Sequence, residues 1–107
     1  MTDRAAGTLE RVGTALADPT RRWILLALLE GSAYPADLAD ALGAGRSNVS
    51  NHLACLRGCG LVTATREGRQ VRYDLASPGL RAALTKLADL ELQVESGHVD
   101  LGEASAR

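Results

Sequence analysis

Cys55 and Cys59 are the two cysteines of the chain, and a spacing of four carries them to one side of a helix with backbones about 6 Å apart. On one helical turn two thiolates can share a single soft cation. The same spacing suits two small buried hydrophobes, and Cys-x3-Cys by itself leaves both readings open. A disulfide is disfavoured, because side chains one turn apart on a regular helix do not reach the S–S torsion. Two thiols are also too few for the framework of a secreted domain, so a reducing cytoplasm is the expected setting.

A second group of residues opens the same helix. With about 100° per residue and Val49 at zero, Leu53 and Leu56 fall near 40° and 340° and form a core stripe. Ser47, Ser50, Asn51 and Ala54 then lie between about 100° and 200°, and the cysteines near 240° and 280°. Arg46 and Asn48 complete the first turn, and no acid lies in this stretch. Short polar side chains let a helix enter a major groove, where Asn pairs with base edges and Ser reaches bases or phosphates. The plainer alternative is a solvated helix face. Charge favours the first reading: residues 46–72 hold Arg46, Arg57, Arg66, Arg69 and Arg72 against Glu67 alone, a local +4 in a chain of formal net charge −1. Arg46 would meet phosphate, and Arg66, Arg69 and Arg72 would reach the backbone or an adjacent minor groove.

Elements that must position these groups follow from periodicity and breakers. Leu9, Val12 and Leu16 predict a helix over about 8–17, and Asp18-Pro19-Thr20 breaks it and caps the next, about 20–30. Pro35 opens a short helix, 35–42, that stops at Gly43, and the reading helix spans 46–58. The tight Gly43-Ala44-Gly45 link makes these two a helix-turn-helix. Residues 61–75 hold two β-prone runs around Arg66-Glu67-Gly68-Arg69, a hairpin with arginines at its tip. Ser77-Pro78 begins a last helix, 78–95, with Leu80, Leu84, Leu87, Leu90 and Val94 as its apolar side. The tail, 96–107, lacks a pattern and is expected to be mobile. The expected fold is therefore mainly α with a small β-hairpin, a winged helix-turn-helix in the order α1-α2-α3-α4-β1-β2-α5, forming one domain over 1–107.

Composition bounds the rest. Hydrophobic residues at 46% and charged residues at 23% describe an ordinary globular chain. Aromatics are only 3%, with no Phe, so the core must be aliphatic. So short a chain buries a modest core and gains from a second copy, and a homodimer is expected. The start carries no leader-like apolar run, and Trp23 to Leu29 is too short to cross a bilayer, so no membrane is expected. No Gly-rich phosphate loop, Ser-His-acid set or His-Glu-x-x-His is present, which argues against an enzyme.

Four strings, Ala17-Asp18-Pro19-Thr20-Arg21, Arg46-Ser47-Asn48-Val49-Ser50-Asn51-His52-Leu53, Cys55-Leu56-Arg57-Gly58-Cys59-Gly60-Leu61-Val62 and Glu67-Gly68-Arg69-Gln70-Val71-Arg72-Tyr73, resemble the ArsR/SmtB winged-helix metalloregulators. Over about residues 8 to 95 the chain is most similar to their CmtR type, the cadmium- and lead-responsive repressors. The resemblance implies a homodimer on a palindromic operator in double-stranded DNA, released when metal binds, with Cys55 and Cys59 as ligands. That type completes its site with a third cysteine from the C-terminal segment, which this chain lacks. His98, with Asp100 and Glu103 nearby, stands in the corresponding stretch and is the candidate replacement. Cd, Pb, Zn and Ni thus all remain as the divalent metal. Two alternatives accompany this reading: a regulator answering a non-metal or thiol-redox signal, and a nickel or zinc sensor using Asp89, Glu91 and Glu95 of the last helix.

Overall fold

The computed structural model describes residues 2–95. Five helices and one hairpin follow in the order α1 (Asp3–Leu16), α2 (Pro19–Glu30), α3 (Pro35–Leu42), α4 (Arg46–Gly58), β1 (Val62–Glu67), β2 (Gln70–Leu75) and α5 (Pro78–Ala88). This is the winged helix-turn-helix arrangement.

Short-range hydrogen bonds start and stop each element. The Thr2 hydroxyl accepts from the Ala5 N–H at 3.0 Å, so α1 begins five residues earlier than its apolar repeat predicts. A capping Thr followed by Asp3 in the first turn is a start signal that apolar spacing does not register. The Asp18 carboxylate accepts from the Arg21 N–H at 3.0 Å, and Pro19 fills the first position of α2. Both helices of the helix-turn-helix end on a left-handed glycine. Gly43 has φ 62 and Gly60 φ 80, and the next N–H folds back five residues, Ala44 to the Ala39 carbonyl and Leu61 to the Leu56 carbonyl, each at 3.0 Å.

Guanidinium groups close other helix ends. Arg21 donates to the Thr14 and Ala15 carbonyls at 2.8 and 3.2 Å, and Arg22 to Leu16 at 2.8 Å, all at the C-terminus of α1. Arg81 reaches from α5 to the Leu29 and Leu28 carbonyls at the end of α2, at 2.7 and 3.2 Å. Each donates to carbonyls of a last helical turn and places a cation at a negative dipole end.

The core is wholly aliphatic. Ile24, Leu28, Val49, Leu53 and Leu56 have no or almost no exposed surface, so α2 and the core stripe of α4 form its centre. Leu61, Val62 and Leu75 from the base of the hairpin and Leu84 from α5 close it. The hairpin is antiparallel with Glu67 opposite Gln70, so its turn is only Gly68-Arg69. Gly68 takes φ 62, with no positive φ at Arg69, as a two-residue hairpin with glycine first requires. The backbone of Ala33, in the α2–α3 connection, exchanges two hydrogen bonds with Tyr73, at 3.0 and 2.8 Å, on the outer side of β2.

Helix α5 departs most from expectation, ending at Ala88 instead of 95. Asp89, Glu91 and Glu95 would crowd the negative end of a longer helix, and Leu90, Leu92 and Val94 are exposed. No helix among these residues is long and apolar enough to cross a membrane. The expected tail, 96–107, lies outside the described residues.

Two stability outcomes follow. Leu53→Ala leaves a cavity between α2 and α4 and lowers the unfolding free energy by about 2–5 kcal/mol in a urea titration. Asp18→Ala costs about 1 kcal/mol at neutral pH. Slight burial raises the Asp18 carboxyl, but the Arg21 N–H together with His52 and Arg21 outweighs it and holds the group below its ordinary value of 3.8. A depressed carboxyl contributes stability above its unfolded value and loses it as pH falls through the lower folded value. The deficit of Asp18→Ala therefore narrows in the acid range below about pH 4.

Candidate nucleic-acid interface and metal centre

Burial of Val49, Leu53 and Leu56 sets the rotation of α4, and everything opposite is exposed: Arg46, Ser47, Asn48, Ser50, Asn51 and Ala54. The polar face expected from spacing is thus the outer face of the helix. No acid lies in its first turn, and Gly45 caps it without a side chain, leaving N–H groups of that end open to an anion.

The hairpin brings its tip to the same side. Arg46 and Ser50 of α4, Arg69 and Gln70 of the hairpin, and Tyr34 before α3 line one groove of about 510 Å³. A groove edged by two arginines suits a phosphate chain. Tyr34 and Gln70 are the additions that sequence reasoning did not single out. Only the extended hairpin register and the Ala33–Tyr73 bridge bring them beside Arg46.

The remaining arginines divide. Arg66, expected in the turn, is an exposed strand residue opposite Val71. Arg72 is half-buried and committed within the chain: it donates to Glu67 Oε2 at 2.6 Å and to Asp74 Oδ2 at 3.1 Å. These two carboxylates raise the Arg72 guanidinium further above its ordinary value. His52 is held sideways on α4, with Nδ1 at 3.4 Å from Arg21 and Nε2 at 3.7 Å from Asp18.

Both cysteines are free thiols and half-buried. Helix α4 ends at Gly58, so Cys59 is its capping residue, still helical at φ −83, ψ −4 and donating its N–H to the Cys55 carbonyl at 3.0 Å. The pair therefore keeps its one-turn spacing. Cys59 also packs against the core cluster and lines the groove between α1 and α5, with Leu9, Val12, Leu80 and Leu87 around it, closer to the core than its helical angle implies. As a donor set, two sulfurs one turn apart fit a soft cation. Among the described residues no three His, Cys, Asp or Glu side chains come together as a metal cluster. Asp89, Glu91 and Glu95 are exposed, and His98 lies outside the described residues.

The model for bacterial regulatory proteins of the arsR family matches residues 18–64, from the cap of α2 through α4 into β1. The HTH-type transcriptional regulator CmtR of Mycobacterium tuberculosis is 58% identical over 98 residues, covering 92% of this chain and 83% of that one. The chain belongs to the arsR family. It is a DNA-binding transcriptional regulator of that family and not an enzyme. The NMR structure of the cadmium metal-sensor CmtR from Mycobacterium tuberculosis superposes at TM-score 0.66 with 59% identity, covering 86% of this chain and 96% of that one. A homodimeric winged helix-turn-helix DNA-binding domain from Mycobacterium bovis, a possible ArsR-family regulator, reaches TM-score 0.74 at 32% identity, with 82% and 84% covered. This arsR-family chain therefore shares with these relatives the helix pair and the hairpin from which its outer face is built.

Proposed function

We propose that this chain is a metal-responsive repressor: a homodimer that holds a palindromic operator and lets go of it when Cys55 and Cys59 take up a soft divalent cation. One observation carries the reading. The two thiols sit on the last turn of the helix whose outer face presents Ser47, Ser50 and Asn51, so a restraint on one side of α4 is felt on the other.

Arg46 and Arg69 hold the DNA backbone from either side of the groove, Arg66 adds charge on the hairpin, and Ser47, Ser50 and Asn51 face the bases, with Asn48 beside them in the first turn. The thiolates of Cys55 and Cys59 supply two donors, and His98 supplies a third, with Asp100 and Glu103 near it in the chain. Bound there, Cd²⁺, Zn²⁺, Pb²⁺ or Ni²⁺ supplies a cross-link among its donors, and the two sulfurs favour the softer ions. A segment tied to the end of α4 limits how that helix settles into a groove. A coupling of about 1–3 kcal/mol changes operator affinity roughly 5- to 150-fold, and DNA weakens metal by the same factor. The second copy covers the apolar surface of Leu26, Leu29, Leu84 and Leu87 between α2 and α5, which leaves both α4 outer faces free. Half-sites then lie about 10 base pairs apart or a multiple of that. The free thiols suit the cytoplasm.

Titrating the protein with Cd²⁺ produces a sulfur-to-metal charge-transfer band, absent in Cys55→Ser and Cys59→Ser, and releases a labelled DNA fragment selected by the protein from a random pool. His98→Ala keeps part of the band and releases DNA poorly. An unchanged spectrum rejects the metal site; a band without release rejects the coupling. On the DNA side, Asn51→Ala lowers discrimination between the selected fragment and a scrambled one by about 1–3 kcal/mol in competition binding.

A further inference from the structure

Five side chains along one face of the hairpin form an unbroken chain of hydrogen bonds. Tyr34 donates its hydroxyl to Glu67 Oε1 at 2.6 Å. Arg72 donates to the other oxygen of Glu67 at 2.6 Å and, through Nε, to Asp74 Oδ2 at 3.1 Å. The Ser32 hydroxyl donates to the second oxygen of Asp74. Ser32 and Tyr34 flank Ala33, whose backbone pairs with Tyr73, so both ends of the chain return to the same short segment. The result is a closed ring: α2–α3 connection, Asp74, Arg72, Glu67 and back.

Strand geometry explains why these residues meet. Glu67 faces Gln70, and Arg72 faces Thr65, so Glu67 and Arg72 are diagonal neighbours on one face, within reach of a long side chain. Asp74 lies two residues further on that same face. Both oxygens of each carboxylate are engaged. The Glu67 hydrogen bond raises the Tyr34 phenol, and the Ser32 hydroxyl with Arg72 lowers the Asp74 carboxyl despite some burial.

We infer that Arg72 is a positioning residue and not a phosphate anchor: with Tyr34, Glu67 and Asp74 it braces the hairpin against the α2–α3 connection. The brace ends one residue from the turn that carries Arg69, while Tyr34 and Arg69 line the same groove as Arg46 and Ser50 of α4. The span between the two groove arginines, one on the hairpin and one on the helix, is thereby fixed before any polyanion arrives. An isolated two-stranded hairpin is marginally stable and poorly directed; the brace supplies the direction. This inference rests on the DNA-binding reading of the groove.

Its test uses the sign of a charge change. Glu67→Ala removes an acid beside the groove, so simple electrostatics makes DNA binding tighter, whereas loss of the brace makes it weaker, by roughly two- to tenfold for a lost hydrogen-bonding group. Tyr34→Phe, which alters no charge and removes one hydroxyl, weakens binding in the same range. In a salt titration of the full chain, Arg69→Ala lowers the slope of log affinity against log salt by roughly one, and Arg72→Ala weakens binding with the slope unchanged. The double variant Arg72→Ala/Tyr34→Phe binds no worse than Arg72→Ala alone, because both lose the same brace. Tighter binding by Glu67→Ala, a slope lowered in Arg72→Ala, or multiplied losses in the double variant each overturns the assignment. If the native chain fails to bind any DNA at low salt, the proposed function falls instead. The brace is then judged by amide exchange at Ala33 and Tyr73, faster in Tyr34→Phe if it holds and unaltered if it does not.

Discussion

Burial of one stripe of α4 against α2 governs this molecule. Val49, Leu53 and Leu56 meet Ile24 and Leu28 in a core without an aromatic ring, and closely fitted aliphatic surfaces tolerate little rotation of one helix on another. Once that stripe is inside, the other sides of α4 have no freedom. Ser47, Ser50 and Asn51 must face out, and the thiols must lie to the side. Position on the helix is thus a by-product of packing, and the chemistry of each side is what residue choice adds to it.

The glycine at position 60 supplies the second constraint. Because Gly60 adopts the left-handed conformation, the chain reverses there, Leu61 returns to the core beside Leu56, and Cys59 is left as the last helical residue. A cysteine one position later would follow the reversal and lose its register with Cys55. The thiol pair therefore depends on backbone closure as much as on the spacing of the two residues.

Much of this was legible in the residues. The core stripe and polar face of α4 follow from helical angle, and Pro35, Gly43 and Gly45 mark the turn between α3 and α4 without ambiguity. Legibility failed where long-range contacts decide. Arg72 reads as one more cation on a basic hairpin until strand register places Glu67 and Asp74 within its reach. Cys59 reads as a helix flank until α1 and α5 close around it. The last helix reads as running to 95 because Leu90 and Val94 continue its apolar repeat; Asp89, Glu91 and Glu95 among and beside them oppose that extension, and apolar periodicity carries no information on helix-end electrostatics. Tyr34 offered no local signal at all, since its role comes from a bridge between Ala33 and Tyr73, some forty residues apart in the chain.

Arg21, Arg22 and Arg81 spend their donors on carbonyl groups at helix ends, and Arg72 on carboxylates. Cations turned inward in this way are lost to the exterior, while Arg46 and Arg69 stay exposed together on one side. A chain of overall formal charge −1 thus keeps two exposed cations side by side at one groove. Such a local concentration of positive charge draws a polyanion to that groove although the chain as a whole has no excess of cations, and its pull fades as added salt shortens the reach of the field.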